Sequence, residues 1–300
     1  MTSDRPPETV RAYLDQLRRA LKGAPPGLIS DALADCEDHL NNEIAQNPDR
    51  AEAEVMASVV DTYGSPQEIA EEYRDMEATI STPFPQPEQT AARRYGFFNV
   101  ISDPRTYGAL LYMLLSLITG IFYFTWTVTG ISLTAGFAIL IIGIFFALLF
   151  VGSIRVLSHV EGRIVEALLG VRMPRRLPSA APSDESMWTR IKDAVLDMRT
   201  WTSMLYLILM LPLGIIYFVI AVVGLSVSLG VAGASVYSLI TGRSHVQIDE
   251  VPWLNHLLHT APGLILLALT GILLFFVVLH IARGVGWLHG RIAEGLLVRL

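Results

Sequence analysis

Four stretches of this chain, residues 106–126, 137–154, 203–223 and 263–279, contain no Asp, Glu, Lys or Arg. Each is close to the ~20 apolar residues that carry a helix across a ~30 Å hydrocarbon core. A bilayer interior offers no water to backbone N–H and C=O groups, so apolar segments of this kind span it as helices. The chain therefore reads as an all-α membrane protein with four transmembrane helices. After Gly224 the apolar character runs on to Ile240, which leaves open a longer tilted third helix or a re-entrant piece.

The four spans are two copies of one hairpin. An offset of 94 superposes Asp103, Arg105, Leu111, Tyr112 and Gly120 on Asp197, Arg199, Leu205, Tyr206 and Gly214. The same register carries Tyr123, Phe124, Gly130 and Ser132 onto Tyr217, Phe218, Gly224 and Ser226. At an offset of 128, Gly143, Arg155, Gly162, Arg163, Ile164 and Glu166 fall on Gly271, Arg283, Gly290, Arg291, Ile292 and Glu294. The change of offset places 34 extra residues in the second copy, between about Val231 and Gly263. Hairpins of one orientation imply a parallel repeat about an axis along the membrane normal.

Charge sets the expected orientation. Residues 93–105, 155–199 and 283–299 hold fourteen Lys and Arg, whereas the two intervening loops hold only Arg243. That positive-inside bias puts both termini in the cytoplasm of a multi-pass inner (plasma) membrane protein. The opening MTSDRPPETVRAYLDQL has no apolar core or cleavage site of a secretory signal. Among the juxtamembrane residues, Arg155, Arg163, Arg283 and Arg291 are expected at the membrane surface. Val156, Val160, Ile164 and Leu168 form an apolar stripe that would carry the helix on along that surface. Arg163 with Glu166 and Arg291 with Glu294 have i,i+3 pairing distance.

Residues 1–80 are a different object, with 7 Lys and Arg against 17 Asp and Glu. Val10, Tyr13, Leu14, Leu17 and Leu21 make one helical stripe. Ile29, Leu33, Cys36, Leu40 and Ile44 make a second, on a helix of about 16 to 18 residues. Met56, Val59, Val60 and Tyr63 mark a third, closed by Gly64. Ser65-Pro66-Gln67-Glu68 then supplies a capping Ser, a first-turn Pro and a Glu that reaches back to the cap. The fourth helix turns Ile69, Ala70, Tyr73 and Met76 inward. Its outward Glu68, Glu71, Glu72 and Asp75 form the face expected to meet a protein partner. The single cysteine, Cys36, excludes an internal disulfide and sits at a packing position. The domain plan is an acidic bundle over 1–80, a linker over 81–102, a first hairpin with its juxtamembrane helix over 103–176, a cytoplasmic linker over 177–196, and a second hairpin over 197–300 carrying an outer-face insertion at 231–263.

Few residues offer chemistry. Asp35, Glu37, Asp38, His39 and Glu43 have the four-residue spacings of ordinary helical charge pairing, and a solvated face suits them better than a cation site. Ser158-His159-Val160-Glu161 lacks the nucleotide-binding glycine boxes that a phospho-acceptor histidine needs. The outer insertion holds His245, Asp249, Glu250, His256 and His259. These could bind Zn²⁺ or titrate near neutral pH. The competing reading is an interfacial helix begun by Pro252, with Trp253, Leu254, Leu257 and Leu258 in lipid. Ser116-x-x-x-Gly120, Gly143-x-x-x-Ala147 and Gly224-x-x-x-Ser228 allow close helix packing within the bundle or a face for a homo-oligomer. Tyr123 and Tyr217 fit an outer aromatic belt, and Tyr112 and Tyr206 lie deeper.

Two resemblances join these observations. Tyr13-Leu14, Asp35-Cys36-Glu37-Asp38-His39-Leu40 and, above all, Tyr63-Gly64-Ser65-Pro66-Gln67-Glu68-Ile69-Ala70 resemble the HAAS signalling-domain family over about residues 8–78. That resemblance implies a signalling role beside PadR-type regulators and names no catalytic residue. Gly120-Ile121 to Gly130-Ile131-Ser132, their copies at Gly214 to Ser226, and Arg283-Gly284 resemble the putative-sensor membrane domain at the front of some actinobacterial histidine kinases. The likeness spans about 103–300, and no kinase core is expected after it. No ionisable group falls within the four charge-free spans, which argues against a pump or carrier. No nucleophile, base or cofactor site converges, so an enzyme is not expected. The expected function is a non-catalytic membrane sensor or signalling adaptor. Its partners are the lipid bilayer and a cytoplasmic protein such as a transcriptional regulator or kinase, with no direct nucleic-acid contact. The alternative is an accessory or scaffold subunit of a transporter or membrane enzyme complex.

Overall fold

The computed structural model describes residues 6–79, 97–137, 141–174, 197–242 and 260–298. Among them every regular element is helical.

The amino-terminal bundle contains α1 (Val10–Ala20), α2 (Pro26–Gln46), α3 (Glu52–Thr62) and α4 (Pro66–Thr79). Thr9 caps α1, its Oγ1 accepting the Ala12 N–H at 3.2 Å. The core is Tyr13 and Leu17 from α1 with Leu21 at its C-terminal cap, Ala32, Cys36 and Leu40 from α2, Val55, Met56 and Val59 from α3, and Ile69 and Ala70 from α4. Two expectations shift. α2 is 21 residues long, and its buried line runs through Leu28, Ala32, Cys36 and Leu40, leaving Ile29, Leu33 and Ile44 at the margin. Met76 is 49% exposed, because it lies beyond the part of α4 that covers the core.

The capping box forms as its residue types require. The Ser65 N–H donates to Glu68 Oε2 at 2.8 Å, and the Glu68 N–H donates to Ser65 Oγ at 3.3 Å. Gly64 sits at φ +116°, a conformation L side chains rarely adopt. Its carbonyl accepts the Tyr13 hydroxyl at 2.9 Å, tying the turn before α4 to α1.

A short 3₁₀ turn (Phe97–Ser102) precedes four long apolar helices. These are α5 (Pro104–Phe137), α6 (Ile141–Leu169), α7 (Met198–Thr241) and α8 (Ala261–Ala293), the last continued by a π-type turn at Glu294–Val298. All four are long and apolar enough to cross a membrane. Their outward faces carry large apolar side chains such as Ile118, Phe145 and Leu149, all more than 60% exposed, as lipid contact requires. α7 has 44 residues, roughly 66 Å at 1.5 Å per residue. The apolar run beyond Gly224 is therefore the continuation of one helix and not a re-entrant piece.

The described chain divides into two compact units. One joins Met1–Gln86, Gly130–Tyr206 and Arg291–Leu300; the other joins Pro87–Thr129 and Leu207–Gly290. Each hairpin is thus shared between units, and the sequence repeat shows why. In the second unit α5 and α7 cross backbone to backbone. A Cβ on Gly120 would lie 2.5 Å from the Met210 carbonyl oxygen, and one on Gly214 would meet the Ser116 carbonyl oxygen. The offset of 94 that relates Gly120 to Gly214 also relates Ser116 to Met210, so both repeats make the same contact. Farther along, Gly130 packs on Phe150 in the first unit and Gly224 packs on Val278 in the second. These pairs match at offsets of 94 and 128. Gly120 and Gly224 therefore serve packing inside the chain.

At the other end the partners change hairpins. Asp103 caps α5 by accepting the Arg105 N–H at 3.1 Å, and its second oxygen lies 3.7 Å from Arg283 of α8. Asp197 caps α7 in the same way at 3.0 Å and pairs with Arg155 of α6 at 3.1 Å. Each first helix thus binds the other hairpin's second helix.

Candidate functional site

The exchange of partners continues in two buried polar pairs. Tyr112 of α5 places its hydroxyl 2.6 Å from His289 Nε2 of α8, and Tyr217 of α7 places its hydroxyl 3.4 Å from His289 Nδ1. His289 is fully buried, and both tyrosines are within 5% of full burial. A neutral imidazole has one donor and one acceptor nitrogen, so one tyrosine hydroxyl donates a hydrogen bond to the ring and the other accepts one from it. In the first unit the Tyr206 hydroxyl of α7 donates to Glu161 Oε1 of α6 at 3.3 Å, with both residues buried. The offsets of 94 and 128 superpose Tyr112 on Tyr206 and Glu161 on His289. The repeat therefore keeps a tyrosine beside a titratable partner and varies the partner.

Charge-free windows hid these groups. The helices run past them, and His289 lies inside a helix that is apolar enough to span. The signal available in sequence was the repeat register, which pairs Glu161 with His289. Tyr123 and Tyr217 also differ from an outer-belt placement, since both are buried within the helices. Near the buried Glu161, the apolar Val156 and Val160 are about half exposed.

A second polar centre joins the bundle to the segment that follows α6. Gly170, at φ +70°, ends that helix, and Arg172 turns inward to only 4% exposure. Its Nη2 lies 2.9 Å from Asp31 Oδ2 of α2, and its Nε lies 2.9 Å from Glu77 Oε1 of α4. Its Nη1 also donates to the Met173 carbonyl. Gly27 makes this approach possible, because a Cβ there would lie 2.7 Å from the Arg172 carbonyl oxygen. α2 further packs on the π-type turn Glu294–Val298. A buried charge bridged to two carboxylates is costly to break, and it fixes register between the elements that supply it.

The remaining sequence candidates fall as follows. Glu68, Glu71, Glu72 and Asp75 are exposed on α4. Glu68 also belongs to the cap, where bonds from the Ser65 N–H and hydroxyl hold its carboxyl below the usual range. Arg155 and Arg283 are partly buried in helix-to-helix ion pairs with Asp197 and Asp103. Arg163 pairs with Glu166 at 2.8 Å, and Arg291 is exposed. His245, Asp249, Glu250, His256 and His259 lie outside the described residues. Among the described residues no three metal-ligating side chains converge. The acidic face of α2 is less solvated than its spacing suggests. The Tyr73 hydroxyl donates to Asp35 at 2.6 Å, and His39 stacks on Tyr63 with ring centroids 4.2 Å apart. Burial pushes the Cys36 thiol up to about 11 and Tyr63 to about 12.

No curated protein and no solved structure matches the chain. Two family models do. The HAAS model matches residues 12–72, which is the four-helix bundle from within α1 into α4. The model described as "Putative sensor" matches residues 112–297, beginning at the tyrosine that meets His289 and ending in the turn that packs on α2. That match covers more than half of the 300 residues, so the chain belongs to the "Putative sensor" family and carries a HAAS domain at its amino-terminal end.

Proposed function

We propose that this protein is a multi-pass inner-membrane signalling protein with both termini in the cytoplasm. In this reading the membrane helices receive a membrane or envelope stimulus, and the acidic bundle delivers it to a cytoplasmic protein. The observation that carries it is Arg172, which follows a membrane helix and is buried against Asp31 and Glu77 of the HAAS bundle. Signal transfer needs a joint that has discrete docked and undocked states, and a desolvated charge bridge supplies one. Glu71, Glu72 and Asp75 face outward on α4, the helix that also supplies Glu77, and are therefore the partner-binding face proposed here.

Co-purification of the full chain from its own cells tests the reading, comparing the parent with Arg172→Met. Signalling predicts a transcriptional regulator or kinase whose recovery changes with the variant. Recovery of a transporter ATPase or permease, unaffected by the variant, supports an accessory subunit instead.

A further inference from the structure

A cavity of about 560 Å³ lies within the first unit, between α2 and the ends of α6 and α7. Its two walls differ in chemistry. α6 and α7 contribute Arg155, Ser158, His159, Arg199 and Thr200, with Asp197 beside Arg155, whereas α2 contributes Ile29 and Leu33 together with Asp31 and Glu37, and α1 adds Arg18. Arg155 is held by Asp197, which fixes its guanidinium at the wall.

Two hydroxyls on the basic wall are buried and have no hydrogen-bond partner, Ser158 Oγ and Thr200 Oγ1. Thr200 is only 3% exposed. A buried hydroxyl without a partner costs about 1–3 kcal/mol, and one beside a cavity can be met by an acceptor that enters it. Guanidinium forks, an imidazole and hydroxyls in one concave wall are the donor set that recognises a phosphate group. The apolar Ile29 and Leu33 opposite suit the hydrocarbon part of an amphiphile.

We infer that this cavity binds a phosphate-bearing anion through Arg155, His159, Arg199, Ser158 and Thr200, either a phospholipid headgroup or free phosphate. The binding claim goes beyond the signalling reading and is tested without a partner protein. The site is specific to one copy of the repeat. Thr106, the counterpart of Thr200, is also buried without a hydrogen-bond partner, but at an offset of 128 Trp287 stands in place of His159.

The test uses the purified full chain in detergent, titrated separately with dihexanoyl phosphatidylglycerol, with sodium phosphate and with dihexanoylglycerol. The parent is expected to bind the phospholipid, and His159→Gln with Arg199→Gln to weaken binding at least about tenfold, as the loss of charge-assisted hydrogen bonds implies. Binding of the phospholipid alone identifies a lipid headgroup; binding of phosphate with the same sensitivity identifies a free anion. Thr200→Val guards against a misfolded double variant, because removing an unpartnered hydroxyl does not harm the ligand-free fold. It should leave the ligand-free Tm unchanged or raised, yet weaken binding about fivefold for one lost hydrogen bond. Thr106→Val should leave affinity unaltered. The inference is overturned if the parent binds neither phosphate-bearing probe, if dihexanoylglycerol binds equally well, or if the variants bind like the parent.

Discussion

Replacing Gly120 by Ala probes the central crossing of α5 and α7. The new Cβ stands 2.5 Å from the Met210 carbonyl oxygen, 2.9 Å from its carbonyl carbon and 3.1 Å from the Leu211 Cα. All three atoms are backbone, so no rotamer change relieves the clash. The helices must separate by roughly 0.5 Å to bring the closest contact to the 3.0 Å below which real Cβ atoms are essentially never found. Overpacking of this kind costs about 1–3 kcal/mol, partly because surrounding contacts loosen as the helices part. Gly214→Ala inserts its methyl at the matching point of the same crossing. One separation relieves both clashes, so the double variant should lose clearly less than the two single losses combined. Gly152→Ala and Gly284→Ala are the controls, since nothing lies within 4 Å of either added Cβ. They should be neutral or gain about 0.5–1 kcal/mol from helix propensity. Thermal unfolding of the four single variants and the double variant in one detergent decides. Equal Tm for Gly120→Ala and Gly152→Ala, or strict additivity at the crossing, would refute the backbone contact on which the repeat's packing rests.

Further outcomes follow from the bundle and its joint. Arg172→Met should cost about 3–5 kcal/mol of docking, because Asp31 and Glu77 lose a desolvated countercharge; faster hydrogen exchange at the start of α2, with α1 and α3 unchanged, is the readout. Gly64→Ala should destabilise the bundle by about 1–3 kcal/mol from its φ of +116°, measured by denaturant unfolding of residues 1–80, which are expected to form a helical unit alone. Cys36 rises from a usual 9.0 to about 11 on burial. Folding thus favours the protonated thiol, and this contribution is complete below pH 9 and lost as pH climbs towards 11; slow maleimide labelling at pH 8, fast in denaturant, checks it. Labelling of tags from outside the cell should reach a site between Arg243 and Asp249 and neither terminus, and labelled termini would reverse the proposed topology.

Much of this protein is written in short-range pattern. Four charge-free windows require helices, because a bilayer leaves backbone groups no other partner. Gly64, Ser65 and Glu68 specify the turn into α4 by local geometry alone, and every bond of that cap forms. The duplicated register was legible too, since it needs only comparison of the chain with itself. Partner choice was not legible. Nothing in the order of residues says that Tyr112 meets His289 of the other hairpin, or that Arg155 meets Asp197, because these contacts depend on how helices cross in space. Glu161 and Arg172 lie outside the charge-free windows, and only packing decides that each is buried with a partner. The same holds for Ile29 and Leu33, which the helical period assigns to the core and the docked arrangement places at a cavity wall. Local pattern fixes which face of a helix is apolar, while tertiary packing decides which neighbour that face, or its polar edge, will find.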